Sequence, residues 1–225
     1  MTNVVLVHGL WVDGSSWTEV TGRLQEEGHV VTAVQLPLSS LEDDVAAVQR
    51  ALAQVDGPSV LVGHSYGGMV ISNAAAGGQN VAALVYLAAV APEEGEAAGE
   101  ILGRFPASPG LEAVVADAEG YVSLDRTKFA EVFAADVPAA KAAVMAASQG
   151  PAAGSCLAAP SGVPAWKSIP STYVVCTQDR TLQPEAQQWM AERIGARIVH
   201  VDASHSAAAS QPAQVVDAIV QASRS

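Results

Sequence analysis

Charge is scarce in this sequence, and most of it has one sign. Only 15% of the 225 residues are charged, and 11 Lys and Arg residues stand against 23 Asp and Glu residues, for a formal net charge of −12. A chain with this balance repels phosphate backbones and anionic membrane surfaces, so we expect it to bind neither nucleic acid nor membranes. Hydrophobic residues make up 50% of the chain, which is enough for one domain with a sizeable core.

Cysteine is scarce as well, since the chain has only Cys156 and Cys176. Cys176 ends an apolar run typical of a buried strand, and we expect both thiols to be reduced core residues rather than part of a disulfide framework. No apolar run approaches the roughly 20 residues of a membrane helix. The first residues lack the basic and apolar regions of a signal peptide. These absences favour a cytoplasmic protein and leave open whether it forms a homodimer.

Short β-branched runs alternate with longer segments rich in Ala and Leu, which indicates an α/β fold with a parallel sheet. Several runs are apolar at consecutive positions, as in strands that helices cover on both faces. Six strands are predicted, at Val4–Val7, Val30–Val34, Ser59–Val62, Val81–Leu87, Thr172–Cys176 and Arg197–Val201. Helices are predicted between and after them, at Ser15–Glu27, Leu41–Val55, Tyr66–Ala76, Pro184–Ile194 and Gln211–Ser223. The second helix opens with the acids Glu42, Asp43 and Asp44, which favour a helix N-terminus.

The stretch from Pro92 to Ile169 breaks this rhythm. It is rich in Pro, Gly and Ala and contains no convincing strand. Its candidate helices are Gly110–Ala118, Arg126–Phe133 and Pro138–Gln149. We therefore predict a mostly parallel six-stranded sheet flanked by helices, formed by residues 1–91 and 170–225, with a helical cap at residues 92–169 inserted after the fourth strand.

The most informative motif is Gly63-His64-Ser65-Tyr66-Gly67, which fits the pattern G-x-S-x-G between a predicted strand and a predicted helix. A sharp strand-to-helix turn strains the residue at its tip, and small residues two positions before and after keep the turn free of clashes. The Ser65 hydroxyl then projects above the carboxyl edge of the sheet, at a helix N-terminus whose N–H groups can meet an oxyanion. The motif predicts that Ser65 is a nucleophile.

A serine nucleophile needs a base, and downstream of Ser65 there are only His200 and His205. His200 lies within the predicted last strand, whereas His205 follows it in a loop. Catalytic groups collect in loops at the carboxyl ends of strands. His205 is therefore the predicted base, and His200 is interpreted as a core or surface residue.

The acid that orients this base should lie in another loop after a strand, before the histidine. Asp179 fulfils this condition, since it follows the strand Thr172–Cys176. Asp202 is the rival, but it belongs to the same loop as His205 and would have difficulty reaching the far nitrogen of the ring. We predict Asp179 as the acid. The acids Asp117, Asp125 and Asp136 fall in the cap and are interpreted as solvated charges.

Acyl transfer also needs two N–H donors for the developing oxyanion. One is predicted to be the backbone N–H of Tyr66, directly after the nucleophile. The other is predicted at Leu10, in the loop after the first strand, where Gly9 permits a close backbone approach. His8 is expected to orient this loop by hydrogen bonds. Trp11, Trp166 and the cap are expected to shape the substrate pocket, although a packing role for either Trp stays open.

With these residues placed, the sequence resembles the α/β-hydrolase superfamily. It looks closest to small bacterial esterase-like members related to plant methyl-ester esterases and hydroxynitrile lyases. The matching stretches span nearly the whole chain in the right order: Val5-Leu6-Val7-His8-Gly9, Leu61 to Gly68, Val174 to Asp179, and Ser204-His205. The resemblance implies a Ser65–His205–Asp179 triad and no cofactor.

Two positions depart from that resemblance. The related hydroxynitrile lyases place a Thr beside the His of the oxyanion loop and a Lys directly after the catalytic His, where this chain has Gly9 and Ser206. Without that Lys, departing cyanide would lack a charge partner, so lyase chemistry is disfavoured. The segment Ser206-Ala207-Ala208-Ala209 is also unusually small, and we interpret it as widening the pocket for a bulky acyl or alcohol group, with Gly9 and Ser206 among its lining residues.

The predicted function is therefore hydrolysis of carboxylic esters through an acyl-enzyme on Ser65. Three alternatives stay open: a C–C bond hydrolase, a cofactor-free lyase using the same triad, and a non-catalytic small-molecule-binding protein of the same fold. A haloalkane dehalogenase or epoxide hydrolase would want Asp in place of Ser65, so both are disfavoured.

Overall fold

The computed structural model describes residues 2–77 and 80–224. In these ranges the strands are β1 (Asn3–Val7), β2 (Val30–Val34), β3 (Ser59–His64), β4 (Val81–Leu87), β5 (Val114–Ala116), β6 (Tyr121–Leu124), β7 (Ala152–Ala153), β8 (Ser171–Cys176) and β9 (Arg197–Val201). The helices are α1 (Thr18–Glu26), α2 (Leu41–Leu52), α3 (Gly67–Ala74), α4 (Ala98–Leu102), α5 (Pro109–Glu112), α6 (Phe129–Phe133), α7 (Ala139–Ser148), α8 (Ser155–Ala158), α9 (Pro184–Arg193), α10 (Ala207–Ser210) and α11 (Pro212–Ala222). Short 3₁₀ turns lie at Gly14–Trp17 and Ala165–Lys167.

Six parallel strands form the central sheet, in the order β2-β1-β3-β4-β8-β9. The predicted fold class is confirmed, and each predicted strand lies within two residues of its observed bounds. One face of the sheet packs against α1, α10 and α11, and the other against α2, α3 and α9. All six residues of β3 are buried, as expected for a strand covered on both faces.

The strand order brings the functional loops together. The first strand, β1, lies one place in from the edge of the sheet. The chain then passes to the edge with β2 and returns to the other side of β1 with β3. The loops after β1 and β3 therefore lie side by side at the carboxyl edge, at the point where the winding direction reverses. Open α/β sheets bind their ligands at this point.

The segment between β4 and β8 differs from the prediction of a purely helical cap. It contains helices α4 to α8, but also a three-stranded antiparallel sheet in the order β5-β6-β7. The predicted helix Gly110–Ala118 is wrong in its second half, because α5 ends at Glu112 and Val114–Ala116 pairs with β6. The reversal is fixed by Asp117, whose carboxylate accepts hydrogen bonds from the backbone N–H groups of Glu119 and Tyr121, both at 2.9 Å.

Cys156 and Cys176 are both free and buried, as predicted. Within the described ranges, no helix has both the length and the apolar character needed to cross a bilayer. Among the same residues, no group of three or more His, Cys, Asp or Glu side chains is arranged to hold a metal ion.

The start of α3 lies so close to the end of β3 that only glycine fits there. A Cβ atom on Gly63 would lie 2.6 Å from the carbonyl oxygen of Gly67, and one on Gly67 would lie 2.7 Å from the carbonyl oxygens of Val7 and His8. Backbone on both sides of the contact cannot move aside without shifting the sheet. By contrast, a Cβ atom on Gly22, in the middle of α1, would meet no atom within 4 Å.

We therefore expect Gly63→Ala and Gly22→Ala to have opposite effects on stability. Gly63→Ala should lower the free energy of unfolding by about 1–3 kcal/mol, since it overpacks a backbone contact. Gly22→Ala should raise it by about 0.5–1 kcal/mol, because alanine has the higher helix propensity. Urea denaturation of both variants measures this, and equal effects of the two substitutions would contradict the packing described.

Candidate active site

Ser65 occupies the turn between β3 and α3 in a left-handed conformation, with φ at +55°. Such a backbone costs on the order of 1–3 kcal/mol in a residue other than glycine, so the surroundings must hold it. The N–H of Ser65 donates to the carbonyl of Leu87 at 3.1 Å, and its own carbonyl accepts from the N–H groups of Gly68 at 3.0 Å and Val90 at 2.9 Å. Its hydroxyl makes no hydrogen bond to any described residue and is left available.

The loop after β1 packs directly on this turn. A Cβ atom on Gly9 would lie 2.6 Å from the Cβ atom of Ser65 and 3.3 Å from its Oγ. Trp11, in the same loop, also has a left-handed backbone, with φ at +64°. In the part of the chain that the structure describes, the backbone N–H groups of Leu10 and Tyr66 donate to no other group. The structure thus places both predicted oxyanion donors in loops that meet at Ser65, with free N–H groups.

His8 fixes the shape of this loop, as the sequence suggested. Its Nε2 accepts a hydrogen bond from the N–H of Leu36 at 3.0 Å, so the proton of the neutral ring lies on Nδ1, which donates to the carbonyl of Gly9 at 2.8 Å. Burial lowers the pKa of His8, which favours this neutral form.

Asp179 and His205 form a buried pair. Nδ1 of His205 lies 2.6 Å from Oδ2 of Asp179, and both side chains are inaccessible to solvent. The carboxylate also accepts hydrogen bonds from the N–H groups of Thr181 at 2.7 Å and Leu182 at 2.9 Å and from Nε2 of Gln187 at 2.8 Å. These donors compensate the buried charge and leave its position fixed. Nε2 of His205, on the other side of the ring, is buried and has no hydrogen-bond partner among the described residues.

The two rival residues lie elsewhere. His200 is exposed on β9, and its Nε2 lies 3.1 Å from Oε1 of Gln188. Asp202 is exposed too, and its Oδ1 accepts from Thr177 Oγ1 at 3.1 Å and Gln178 Nε2 at 2.9 Å. Asp179, and not Asp202, contacts His205 because the loop after β8 faces the imidazole, whereas Asp202 turns toward the start of that same loop.

Two residues outside the predicted set brace His205. Nε2 of His64 donates to the carbonyl of His205 at 2.8 Å, and the ring of His64 lies edge-on to Trp17 and Phe133. Asp136 is exposed, as the sequence suggested, but its carboxylate also accepts hydrogen bonds from both the N–H and the hydroxyl of Ser204, the residue before His205. His64 could have been found from its place beside Ser65 in the motif, but nothing in the sequence marks Asp136.

A cavity of about 50 Å³ lies next to Ser65 and is almost entirely apolar. Leu10, Trp11 and Tyr66 line it from the core, and Leu102, Leu111, Val114 and Leu157 line it from the segment between β4 and β8. Trp11 therefore lies where the sequence suggested, and its indole N–H is anchored by the carbonyl of Val122 at 3.1 Å. The site is shaped by core and cap together.

Trp166 and Ser206 lie outside this cavity, contrary to expectation. The indole of Trp166 donates to the carbonyl of Pro92 at 2.8 Å, at the root of the cap. The hydroxyl of Ser206 donates to the carbonyl of Phe133 at 2.9 Å. With Ala208 and Ala209, Ser206 lines a separate hollow of about 10 Å³ beside His64 and His205. The small residues at 206–209 therefore do not widen the pocket at the nucleophile.

The sequence matches the profile of the Alpha/beta hydrolase family over residues 4–218. The chain belongs to this family.

Relatives of the chain within the Alpha/beta hydrolase family include Salicylic acid-binding protein 2 of Nicotiana tabacum, 27% identical over 85% of this chain and 84% of the relative. Alpha/beta hydrolase nvfD of Aspergillus novofumigatus is 29% identical over 95% of this chain and 93% of its own. Among solved structures, a pyrethroid hydrolase from Sphingobium faniae JZ-2 superposes with a TM-score of 0.84 at 24% identity, covering 98% of this chain and 96% of that one. At 24% identity, the likeness to the pyrethroid hydrolase shows a shared fold and nothing more.

The buried histidines predict a loss of stability in acid. Burial holds the pKa of His64 well below its usual value, so the folded state stays neutral there while the unfolded state takes up a proton below about pH 6.5. The free energy of unfolding should therefore fall as the pH falls below that point, with His64 contributing a slope of about 1.4 kcal/mol per pH unit. Urea denaturation between pH 7.5 and pH 5 measures it.

Replacement of the histidine isolates this contribution. His64→Gln should make the acid limb shallower by about that slope, whereas His200→Gln, at an exposed position, controls for the loss of a histidine from the surface. An unchanged slope in His64→Gln would show that this ring is protonated in the folded state.

Proposed function

We propose that this protein hydrolyses carboxylic esters through an acyl-enzyme on Ser65, with His205 as the base and Asp179 as its orienting acid. The observation that carries the proposal is the buried Asp179–His205 hydrogen bond of 2.6 Å, which leaves Nε2 of His205 without a partner. His64, the residue directly before Ser65, donates a hydrogen bond to the backbone carbonyl of His205 at 2.8 Å. A serine becomes nucleophilic when such a base takes its proton.

Acylation begins when Ser65 Oγ attacks the ester carbonyl carbon and its proton passes to Nε2 of His205. The carbonyl oxygen becomes an oxyanion, which the free N–H groups of Leu10 and Tyr66 stabilise. Asp179 stabilises the imidazolium that forms. Collapse of the tetrahedral intermediate breaks the ester C–O bond, and His205 gives its proton to the departing alcohol.

Deacylation repeats these steps with water. His205 removes a proton from a water molecule whose oxygen attacks the acyl carbon, the same two N–H groups hold the second oxyanion, and His205 then returns the proton to Ser65 Oγ as the acid leaves. No step in this sequence calls on a cofactor.

The substrate class follows from the cavity beside Ser65. Its lining is apolar and its volume is about 50 Å³ in this conformation, which suits a small apolar acyl or alcohol group better than a long chain. Relatives named as a pyrethroid hydrolase, a carbendazim hydrolyzing esterase and a methylesterase support hydrolysis of an ester or related acyl compound. The cytoplasm is the proposed location, on the sequence features alone.

The first test is hydrolysis of p-nitrophenyl esters from acetate to dodecanoate. The wild type should turn over the short esters fastest, because the cavity is small, and Ser65→Ala should lower kcat by at least about 10⁴-fold. Release of p-nitrophenolate measures both. A preference for dodecanoate would contradict the inference from the cavity volume, but it would leave the assignment of Ser65 as nucleophile unaffected.

A fluorophosphonate probe separates ester hydrolysis from the alternatives. If the wild type labels at Ser65 but hydrolyses no ester, the serine is activated and the substrate class is wrong, which leaves C–C bond hydrolysis or a lyase. If it neither labels nor hydrolyses, a binding protein of this fold is the better account, in keeping with the name of the tobacco relative.

The assignment of base and acid has matched controls in the chain. His205→Ala and Asp179→Asn should each lower kcat by about 10⁴-fold, because the base is lost or its tautomer is no longer fixed. His200→Ala and Asp202→Asn should leave kcat within about twofold, since both side chains are exposed and bonded elsewhere. The same ester assay applies, and loss of activity in either control would reverse the assignment.

A further inference from the structure

A second buried carboxylate lies outside the proposed triad. Asp44, in the first turn of α2, is inaccessible to solvent. Its Oδ1 accepts from the N–H of Leu38 at 2.8 Å, and its Oδ2 accepts from the Tyr66 hydroxyl at 2.8 Å and from the Cys156 thiol at 3.8 Å. Acids in a first turn are normally solvated, and burial of this one raises its pKa. A charge so costly to bury needs a reason beyond helix capping.

The three donors come from three different parts of the site. Tyr66 follows Ser65, offers its free backbone N–H as a proposed oxyanion donor, and lines the cavity with its ring. Leu38 lies in the loop after β2 in a left-handed conformation, with φ at +54°, and its carbonyl accepts from the N–H of Ala153 in β7 at 2.9 Å. Cys156 belongs to α8. The Asp44 carboxylate is thus hydrogen-bonded to the residue after Ser65, to the loop after β2 and to the cap.

The hydrogen bond to Asp44 at 2.8 Å anchors the Tyr66 hydroxyl, and the Cys156 thiol lies beside both groups. Helix α3 begins after it without a side-chain capping hydrogen bond. Its ring is held at one end by the strained turn of Ser65 and at the other by the hydrogen bond to Asp44. Without this hydrogen bond the ring and the backbone of residue 66 would be less firmly held, and catalysis is sensitive to small displacements of an oxyanion donor.

On this geometry we propose that Asp44 is a positioning residue for the oxyanion hole. It acts through the Tyr66 hydroxyl to fix the Tyr66 N–H, and its bonds to Leu38 and Cys156 make this position depend on the seating of the cap. The inference rests on the proposed ester hydrolysis at Ser65. It predicts a loss in kcat, with little change in KM, when the Tyr66–Asp44 bond is removed.

Tyr66→Phe removes only the hydroxyl and keeps the ring in the cavity wall. We expect kcat to fall by about tenfold, less than the loss of a whole oxyanion donor, with KM within about twofold. Tyr86→Phe is the matched control, because the hydroxyl of Tyr86 is also buried and lies 2.8 Å from Ser72 Oγ, away from the cavity. The control should lose comparable stability and keep its kcat.

Two replacements of Asp44 separate positioning from packing. Asp44→Asn keeps the shape and can still hydrogen-bond both Leu38 and Tyr66, so it should retain most of the activity. Asp44→Leu removes both bonds and should lower kcat at least as far as Tyr66→Phe does. The double variant Asp44→Leu/Tyr66→Phe should be no slower than Asp44→Leu alone, since both act through one bond. If Asp44→Leu does not fold, Tyr66→Phe and its control Tyr86→Phe still test the proposed role of Asp44.

An inhibitor that forms an oxyanion gives a readout that packing alone would not move. A trifluoromethyl ketone adds Ser65 Oγ to its carbonyl carbon and leaves the negative oxygen in the oxyanion hole. Its inhibition constant for Tyr66→Phe should rise by the same factor by which kcat/KM falls. A Tyr66→Phe enzyme with wild-type kcat and inhibitor affinity would overturn the role of Asp44. A wild type that neither hydrolyses esters nor binds the ketone would instead overturn the proposed function, and the role of Asp44 with it.

Discussion

The steric constraint at Ser65 is the feature on which the site depends. A left-handed residue between β3 and α3 makes the helix start almost in contact with β3, which excludes a side chain at Gly63. The same start lies against the carbonyls of Val7 and His8, which excludes one at Gly67. The same turn brings the loop after β1 so near that Gly9 also has no room for a Cβ atom. One tight turn therefore brings together the hydroxyl of Ser65 and the loops that carry the free N–H groups of Leu10 and Tyr66.

Around this turn most buried polar groups of the described residues have hydrogen-bond partners, although Nε1 of Trp17 has none. Asp179 has four donors and Asp44 has three, while His8 and His64 are held neutral by burial and hydrogen-bonded to backbone. The exception within the described residues that bears on chemistry is Nε2 of His205, which is buried without a partner. An unpaired buried nitrogen costs free energy, so its presence points to a functional role, and in the proposed mechanism that role is proton transfer.

Much of the fold was predictable because its signals are local. The core strands are short apolar runs rich in β-branched residues, separated by longer segments of helical character. The cap was harder to predict, since β5 and β7 have only three and two residues. Both are stabilised by pairing with β6, β5 in a local hairpin and β7 from much further along the chain. Alanine-rich sequence has strong helix propensity, and tertiary pairing overrode it.

The sequence by itself determined the fold class and the order of the strands along the chain. It also singled out Ser65, His205 and Asp179 as candidates, because a strand-turn-helix motif and a loop after a strand are properties of neighbouring residues. Only the tertiary structure decided which distant side chains contact these residues. It placed Asp136 and His64 around His205, removed Trp166 and Ser206 from the cavity, and buried Asp44 against Tyr66. These contacts join residues up to 141 positions apart, and no local pattern encodes which distant side chain will face which.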